Sequence, residues 1–280
     1  MSPKNKVIVE VINDTIVQLM ERVMKKVLIE DPFLSDNHKA KKPLYAALVP
    51  DEIFKGSHFE RRFVTPFGGV WEKLAKSAAQ KYYGNAVLSK AITGKIPKER
   101  LRRIQEVLNN LEHAEVGKKK IKPNWDKELD YILEGKGKLI PATVVCDLFV
   151  ENNKDKKSYA FELKSPLPNS DISKVSKEKM FKLYSMSPLM VSDAFFALPY
   201  NPFGKRENYS WAFPERWFNM KEDKNVLIGN EFWDLIGGKN TYETFITEIN
   251  KVGGHYRERI YREYLGIEPP ASSSSHKLIL

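Results

Sequence analysis

The spacing of apolar positions changes along the chain. Up to about residue 134, apolar residues recur at helical intervals, and this periodicity predicts helices. From Leu139 onward, short β-branched and apolar runs separated by polar turns predict strands that alternate with helices. The predicted helices cover residues 7–30, 66–83, 97–116, 124–133, 170–186, 230–238 and 241–266, and the predicted strands cover 139–151, 158–165 and 193–200.

This order of elements predicts the fold class, an α/β core with a small mixed central sheet flanked by helices. Residues 31–58 show no clear period and are predicted to be irregular. The N-terminal region, residues 1–58, is predicted to be a helical subregion that either stands apart or belongs to the same domain. The main domain then spans residues 59–268, and residues 269–280, which include a run of serines, are predicted to be a flexible tail.

Charged residues interrupt two of the predicted strands. Asp147 lies in an otherwise apolar run, and Glu162 and Lys164 lie in the strand that follows the polar turn at residues 152–157. Because side chains alternate across a strand, Glu162 and Lys164 share one face, about 7 Å apart. An antiparallel hairpin would bring Asp147 beside Glu162, and two carboxylates with a lysine suit a hard cation such as Mg²⁺.

The alternative is a surface strand in which Glu162 and Lys164 form an ordinary ion pair. Against it, burial of Asp147 without a partner would cost several kcal/mol, which a metal site would offset. Glu72 is a second candidate acid, in the first turns of a helix after Gly68 and Gly69, whose lack of side chains would let another backbone approach. Its alternative role is that of a first-turn Glu favoured by the helix dipole.

Composition narrows the class of partner. The chain has 46 Lys and Arg against 36 Asp and Glu, a formal net charge of +10. This excess favours a polyanionic partner such as nucleic acid. The alternative is a solvated, lysine-rich surface without such a partner. Its single cysteine, Cys146, excludes a disulfide framework within this chain and fits a reducing cytoplasm. No apolar run approaches the roughly 20 residues of a membrane helix, so no membrane partner is expected.

The chain resembles the PD-(D/E)xK nuclease superfamily at Asp147, at the Glu162-Leu163-Lys164 motif and at the preceding helix that carries Glu72. Cys146 stands where that pattern usually has a proline. Four blocks, in the expected order between residues 55 and 265, are similar to type II restriction endonucleases of the TdeIII/MjaII kind; they are HFERRFVTPFGGVWEKLAKSAA, FELKSPLPNSDISKVSKEKM, FFALPYNPFG and GNEFWDLIGG.

The resemblance implies a Mg²⁺-dependent, sequence-specific endonuclease that cuts double-stranded DNA, with residues 59–268 as the nuclease core. Asp147 and Glu162 would hold the metal, Lys164 would activate water, and Glu72 would assist. It also implies a homodimer, since a two-fold protein matches a two-fold site. A target of the form GGNCC and a cognate DNA methyltransferase that protects the host DNA are implied as well.

DNA contacts are predicted at three places. Phosphate contacts are expected from the helix after the second strand, and base contacts from the loop after the third strand, with a pair of arginines near residue 60 as a second candidate. For each, the alternative is an ordinary charged surface, and Asn169 is alternatively a helix cap. The predicted residues are Lys174, Lys177 and Asn169, then Lys205, Arg206 and Asn208, then Arg61 and Arg62.

Two other functions use the same residues. A structure-selective repair or resolvase nuclease would share the metal site, but it would need far less chain. A non-catalytic DNA-binding protein with a decayed nuclease fold would not need Asp147, Glu162 and Lys164 intact. Discrete cleavage products that appear only with metal would distinguish a restriction enzyme from both.

Overall fold

The computed structural model describes residues 3–113, 121–153 and 155–270. The predicted tail therefore lies almost entirely outside the described residues. The chain divides into two compact units. We call Met1–Leu74 together with Glu243–Leu280 the helical unit, and Ala75–Tyr242 the sheet unit. This division falls after Leu74, whereas the sequence placed the boundary near residue 58.

The helices cover much of both units. They are α1 (Pro3–Lys25, continued by a π-helical segment Lys26–Glu30), α2 (Ser35–Lys41), α3 (Pro43–Leu48), α4 (Asp51–Tyr83), α5 (Lys98–Glu112), α6 (Trp125–Leu133), α7 (Ser170–Ser185), α8 (Ala212–Glu215), α9 (Asn230–Gly237) and α10 (Thr241–Arg259, continued by a π-helical segment Ile260–Leu265). None of the helices described combines the length and the apolar character that a membrane crossing requires.

Helix α4 is longer than its sequence pattern predicts. It begins at Asp51 rather than near Pro66, and α2 and α3 precede it in a region that was predicted to be irregular. A proline inside a helix removes one backbone hydrogen bond, but aromatic rings spaced four residues apart remain in contact on both sides of Pro66. These rings are Phe59, Phe63, Phe67 and Trp71, with successive centroids 6.2, 5.2 and 5.0 Å apart.

Gly68 and Gly69 do not serve the purpose that their sequence suggested. A Cβ atom at either position would meet no other atom within 4 Å among the residues described, so no backbone makes the close approach expected there. Elsewhere in the helical unit, Ile12, Ile16 and Val23 of α1 are buried. In α10, whose last turns alternate Arg and Glu, Arg259 pairs with Glu21 on α1 and with Glu263 one turn further on.

The sheet unit contains a five-stranded mixed sheet whose spatial order equals its chain order. Its strands are β1 (Gly84–Pro97), β2 (Leu139–Asn152), β3 (Ser158–Leu163), β4 (Asp193–Leu198) and β5 (Val226–Ile228). Neighbours β1, β2 and β3 are antiparallel, and β3, β4 and β5 are parallel. Helix α7 makes the crossover that the parallel pair of β3 and β4 requires.

Two of these strands were absent from the predicted set. Strand β1 buries Ala86, Ile92 and Ile96 and exposes most positions between them, so buried apolar positions are sparse along this strand. Strand β5 has three residues, too few for a period. The three predicted strands and the helices after them are present, and the mixed sheet with flanking helices confirms the predicted fold class.

Helices cover both faces of the sheet. On one face, buried residues of β1 and β2 join α5, α6 and α7 in one core, where Trp125 and Phe181 stack with ring centroids 4.6 Å apart. On the other face, Phe161 of β3 contacts Phe232 of α9 at 5.8 Å. Strand β3 is therefore buried on both sides, and a charged residue within it must find its partners inside the protein.

Candidate active site

Strands β2 and β3 separate at Asp147, and this separation creates the site. Their paired residues end at Leu148 and Phe161. Two residues beyond Phe161, the backbone N–H of Leu163 donates to Asp147 Oδ2 at 2.8 Å instead of to a backbone carbonyl. The Asp147 side chain thus takes the place of a ladder partner, and the same oxygen accepts a hydrogen bond from Lys164 Nζ at 2.5 Å.

Glu162 lies on the face of β3 that α7 covers, and its side chain is only 1% exposed. Lys164 Nζ lies 3.1 Å from Glu162 Oε2. From α7, Lys179 Nζ donates to both carboxylate oxygens at 2.9 and 3.0 Å, and Ser176 Oγ donates at 3.4 Å. The expected convergence of Asp147 and Glu162 is present, with Lys164 between them.

The charges at this site depend on one another. Burial raises the pKa of Glu162, and the ammonium groups of Lys164 and Lys179 oppose that rise without cancelling it. Burial alone would lower the pKa of Lys164, but the charges of Glu162 and Asp147 outweigh it, so its pKa lies above the usual value. Lys164 is therefore held as a cation by the two carboxylates.

The donor set fits a hard divalent cation. Asp147 and Glu162 each place an oxygen within 3.1 Å of one nitrogen, so both carboxylates face a position that already holds a positive charge. Within the described parts of the chain, no group of three or more His, Cys, Asp or Glu side chains is arranged to hold a metal. A cation held by these two carboxylates would lie beside the Lys164 ammonium, which occupies the position between them, and would take its remaining ligands from water or phosphate, as Mg²⁺ commonly does.

Cys146, which replaces the proline of the resembled pattern, is a core residue. Its side chain is buried in the cluster beneath β1 and β2, and burial raises the pKa of its thiol to about 12. It is therefore a neutral apolar group next to Asp147, and the departure from the pattern leaves the acidic site intact.

Glu72 belongs to the helical unit, on α4, whereas Asp147, Glu162 and Lys164 belong to the sheet unit. Its assisting role remains a prediction.

The two lysines of α7 that were predicted to contact phosphate differ in their exposure. Lys177 is fully buried, forms an ion pair with Glu128 at 2.5 Å and donates to the backbone oxygen of Trp217. This burial corrects the prediction, because the Lys177 ammonium group has no exposed surface for a phosphate. Lys174 is partly exposed and pairs with Glu112.

Asn169 caps α7, since its Oδ1 accepts from the N–H of Ile172 at 2.8 Å. This cap was one of the two roles that the sequence left open for Asn169, the other being a contact with the DNA backbone.

In the loop after β4, one of the residues predicted to contact bases, Arg206, is engaged in contacts within the protein. Arg206 donates to both carboxylate oxygens of Glu231 at 3.0 Å, and to the backbone oxygens of Met220 and Asp223. Its guanidinium thus anchors the loop to the protein, and this corrects the prediction that Arg206 contacts a base. Lys205 and Asn208 are exposed, and their contact with DNA remains a prediction.

The second predicted set of base contacts lies in the helical unit. There, Arg62 donates to Asp31 and to the backbone oxygen of His58, while Arg61 is exposed. Their contact with DNA remains a prediction.

Two residues of the site were missed from the sequence. Ser176 and Lys179 are three residues apart on α7, a spacing that places them on one side of a helix, and both contact Glu162. Helical periodicity alone could have placed them together. It could not have shown that the shared side faces β3.

A mixed sheet that brings Asp147, Glu162 and Lys164 together is compatible with the core of a restriction endonuclease. Comparison with known proteins agrees, since residues 8–253 match the family described as type II restriction endonuclease, HinfI. The chain belongs to this family and is a type II site-specific deoxyribonuclease. The predicted class is therefore confirmed, although the resemblance had pointed to the TdeIII/MjaII kind and the matching family is that of HinfI.

Individual relatives agree with the family. Over 224 residues the chain is 27% identical to the type II restriction enzyme HgiCII of Herpetosiphon aurantiacus, a match that covers 76% of this chain and 77% of that protein. It is 26% identical over 217 residues to the type II restriction enzyme HgiBI of the same organism, with the same coverage. Family and relatives favour a restriction enzyme over a repair nuclease or a non-catalytic DNA-binding protein.

Proposed function

We propose that the enzyme makes Mg²⁺-dependent double-strand breaks in DNA, with Asp147 and Glu162 as the metal ligands and Lys164 beside them. The observation that carries this proposal is the contact of one ammonium nitrogen with both carboxylates, at 2.5 and 3.1 Å. A bound Mg²⁺ would supply an ionised water and neutralise charge on the scissile phosphate.

The protein groups have separate tasks in this proposal. Lys179 and Ser176 hold the buried carboxylate of Glu162 from α7. The backbone N–H of Leu163 holds Asp147. Lys164 is 18% exposed and carries its charge where the two carboxylates meet, so it can orient the attacking water or the phosphate. Fixing these groups before DNA arrives lowers the entropy cost of the reaction.

Cleavage of plasmid DNA tests the proposal. Wild-type protein with Mg²⁺ should give discrete bands, and EDTA should abolish them. Asp147→Asn and Glu162→Gln preserve side-chain shape but remove charge, and each should lower the cleavage rate by more than about 100-fold, since even outer-shell changes at metal sites lose about 10- to 100-fold. Binding to the same DNA with Ca²⁺ in place of Mg²⁺ should persist. Cleavage by Glu162→Gln at the wild-type rate would refute the metal assignment.

The sequence target is a further part of the proposal. We propose an interrupted palindrome of the form GGNCC, which the resemblance to type II endonucleases implies, and a protein dimer that matches its two-fold symmetry. Lys205 and Asn208 remain the proposed base contacts. Sequencing the ends of cut DNA gives the target and the position of the break directly, and any other recurrent sequence at the ends would replace GGNCC.

The cellular setting follows from the activity. An enzyme that cuts DNA at a recurrent sequence requires that the host's own sites be protected, so we propose a cognate methyltransferase as a functional partner. The cytoplasm, where host and incoming DNA are found, is the proposed location. Resistance of methylated host DNA to cleavage, with unmethylated DNA of the same sequence being cut, tests the partnership.

A further inference from the structure

The helical unit contains a cavity of about 460 Å³ whose polar lining is mostly basic. We call it the basic cavity. Its lining comes from α1 with its π-helical extension, from the turn that follows, and from the middle of α4. The lining residues are Arg22, Val23, Lys26, Asp31, Arg61, Arg62, Thr65 and Pro66.

One of the four cations at the basic cavity is already neutralised. Arg62 Nε donates to Asp31 Oδ2 at 2.8 Å, and a second nitrogen of the same guanidinium contacts the same oxygen. These hydrogen bonds from Arg62 lower the pKa of Asp31, so the carboxylate is ionised and committed to Arg62. The charge of Lys26 also lowers the pKa of Asp31, but less than Arg62 does, so this one acidic group leaves the other three cations in excess.

Those three cations are Arg22, Lys26 and Arg61, and their side chains are exposed. Within the described portion of the chain, none of the three has a hydrogen bond or ion pair from its side chain. Arg22 and Lys26 are one helical turn apart, a spacing at which like charges repel, and Arg61 adds a third charge from α4. An anion in the cavity would relieve this repulsion.

We propose that the basic cavity binds a phosphate group of the DNA backbone, as a contact outside the catalytic constellation. The proposal rests on DNA being the substrate. Arginine donors match the oxygens of a phosphate in pairs, and lysine adds a point charge. The proposal gives Arg61 a phosphate instead of a base, and it brings Arg22 and Lys26 into the DNA-binding surface.

The salt dependence of DNA binding measures this contact. Each phosphate contact contributes about 0.9 to the slope of log affinity against log salt concentration. The variant Arg22→Gln/Lys26→Gln/Arg61→Gln should therefore bind a duplex oligonucleotide with a slope about 0.9 less steep than wild type. Between about 50 and 200 mM salt, the variant should lose roughly threefold less affinity than the wild type.

Lys25→Gln is the matched control. Lys25 lies on the same helix, its side chain is 66% exposed, and it pairs with Glu30 rather than lining the basic cavity. Its slope should equal that of wild type. Should the triple variant fold poorly, Lys26→Gln alone serves the same comparison, since it removes one exposed charge. A triple variant that folds and keeps the wild-type slope would overturn the proposal.

A second arm separates DNA from free phosphate. Inorganic phosphate, compared with chloride at the same ionic strength, should raise the melting temperature of wild type more than that of the triple variant, because its general stabilising effect acts on both proteins. If this difference appears while the DNA slopes are equal, the cavity takes free phosphate, and its assignment to DNA is wrong. Cleavage by the wild-type preparation is measured alongside. Without cleavage the proposed function itself fails, whereas cleavage with unchanged slopes refutes only the cavity.

Discussion

The ammonium group of Lys177 is buried among aromatic rings, 5.3 to 5.8 Å from the ring centroids of Trp125, Phe181 and Phe218. The phosphate contact predicted for it would need this group at the surface. Burial lowers its pKa, against the attraction of Glu128. The sequence did hold a signal, because residues 177, 180 and 181 share one side of a helix and the latter two are Met180 and Phe181. The lysine was thus in phase with the apolar stripe.

Removing one partner of this buried pair should be strongly destabilising. Lys177→Met leaves Glu128, whose side chain is 12% exposed, with an unpaired charge, so the free energy of unfolding should fall by about 3–5 kcal/mol. The double variant Lys177→Met/Glu128→Gln removes both charges and should recover most of that loss. Urea unfolding of Lys177→Met, Glu128→Gln and the double variant measures this coupling. A single variant as stable as wild type would show that the pair is not buried in solution.

The raised pKa of Asp223 leads us to expect that the stability of the protein depends on pH. Burial raises its pKa to about 6, against a usual value of 3.8. Because the folded pKa is the higher one, the folded state holds a proton that the unfolded state releases between about pH 4 and 6, and stability from this group is lost as pH rises through that window.

Asp223→Asn should remove this contribution. The melting temperature of the variant minus that of wild type should therefore increase from pH 4 to 6 and then level off. Asp126→Asn, at an exposed position of α6, is the control and should show no such trend. A flat difference for Asp223→Asn across the window would contradict the raised pKa.

Among the elements, α7 has the most direct influence on the site. It begins at the Asn169 cap, and its Ser176 and Lys179 both contact Glu162. The position of the helix therefore fixes the carboxylate of Glu162. Strand β3 adds Phe161 on its other side, packed against α9, so Glu162 is held between two layers.

Loss of the α7 cap should affect both stability and cleavage. Asn169→Ala removes the acceptor for the N–H of Ile172 and should lower the free energy of unfolding by about 1 kcal/mol. Cleavage should fall as well, since the helix end that precedes Ser176 loosens. Asn169→Asp keeps a capping oxygen and should retain both properties. Equal cleavage rates for Asn169→Ala and wild type, measured at a temperature where both are folded, would separate the cap from the site.

Local sequence patterns predicted β2 and β3, which contain the candidate site residues, better than they predicted the edge strand β1. The apolar run of β2, the turn after it and the Glu162-Leu163-Lys164 motif lie close together in sequence, so the hairpin and its three charged residues could be predicted. Strand β1 is half exposed, and its pairing with β2 joins Pro97 to Leu139 across α5 and α6. The inward course of Arg206 depends on Glu231, 25 residues further on. Such distant pairings leave no periodic signal in the chain.

At the scale of the whole molecule, the proposed two-fold target leads to a prediction about assembly. A closed dimer presents two identical active sites, one to each DNA strand. Light scattering of the purified protein, whose chain mass is 32.3 kDa, should give roughly twice that mass. Glu162→Gln subunits mixed with wild type should nick one strand more often than they cut both. A monomer both in solution and on DNA would contradict the dimer.

The helical unit consists of two separate segments of the chain, and this affects the order in which the two units can fold during synthesis. Ala75–Tyr242 is one unbroken stretch, and its strands lie in the sheet in the order of their synthesis, so this unit can fold while translation continues. The helical unit buries Phe245 and Tyr256 of α10, which leave the ribosome near the end. We therefore expect the nascent chain to gain its proposed catalytic residues first, with the packing of α10 against α1 and α4 as the late step of folding.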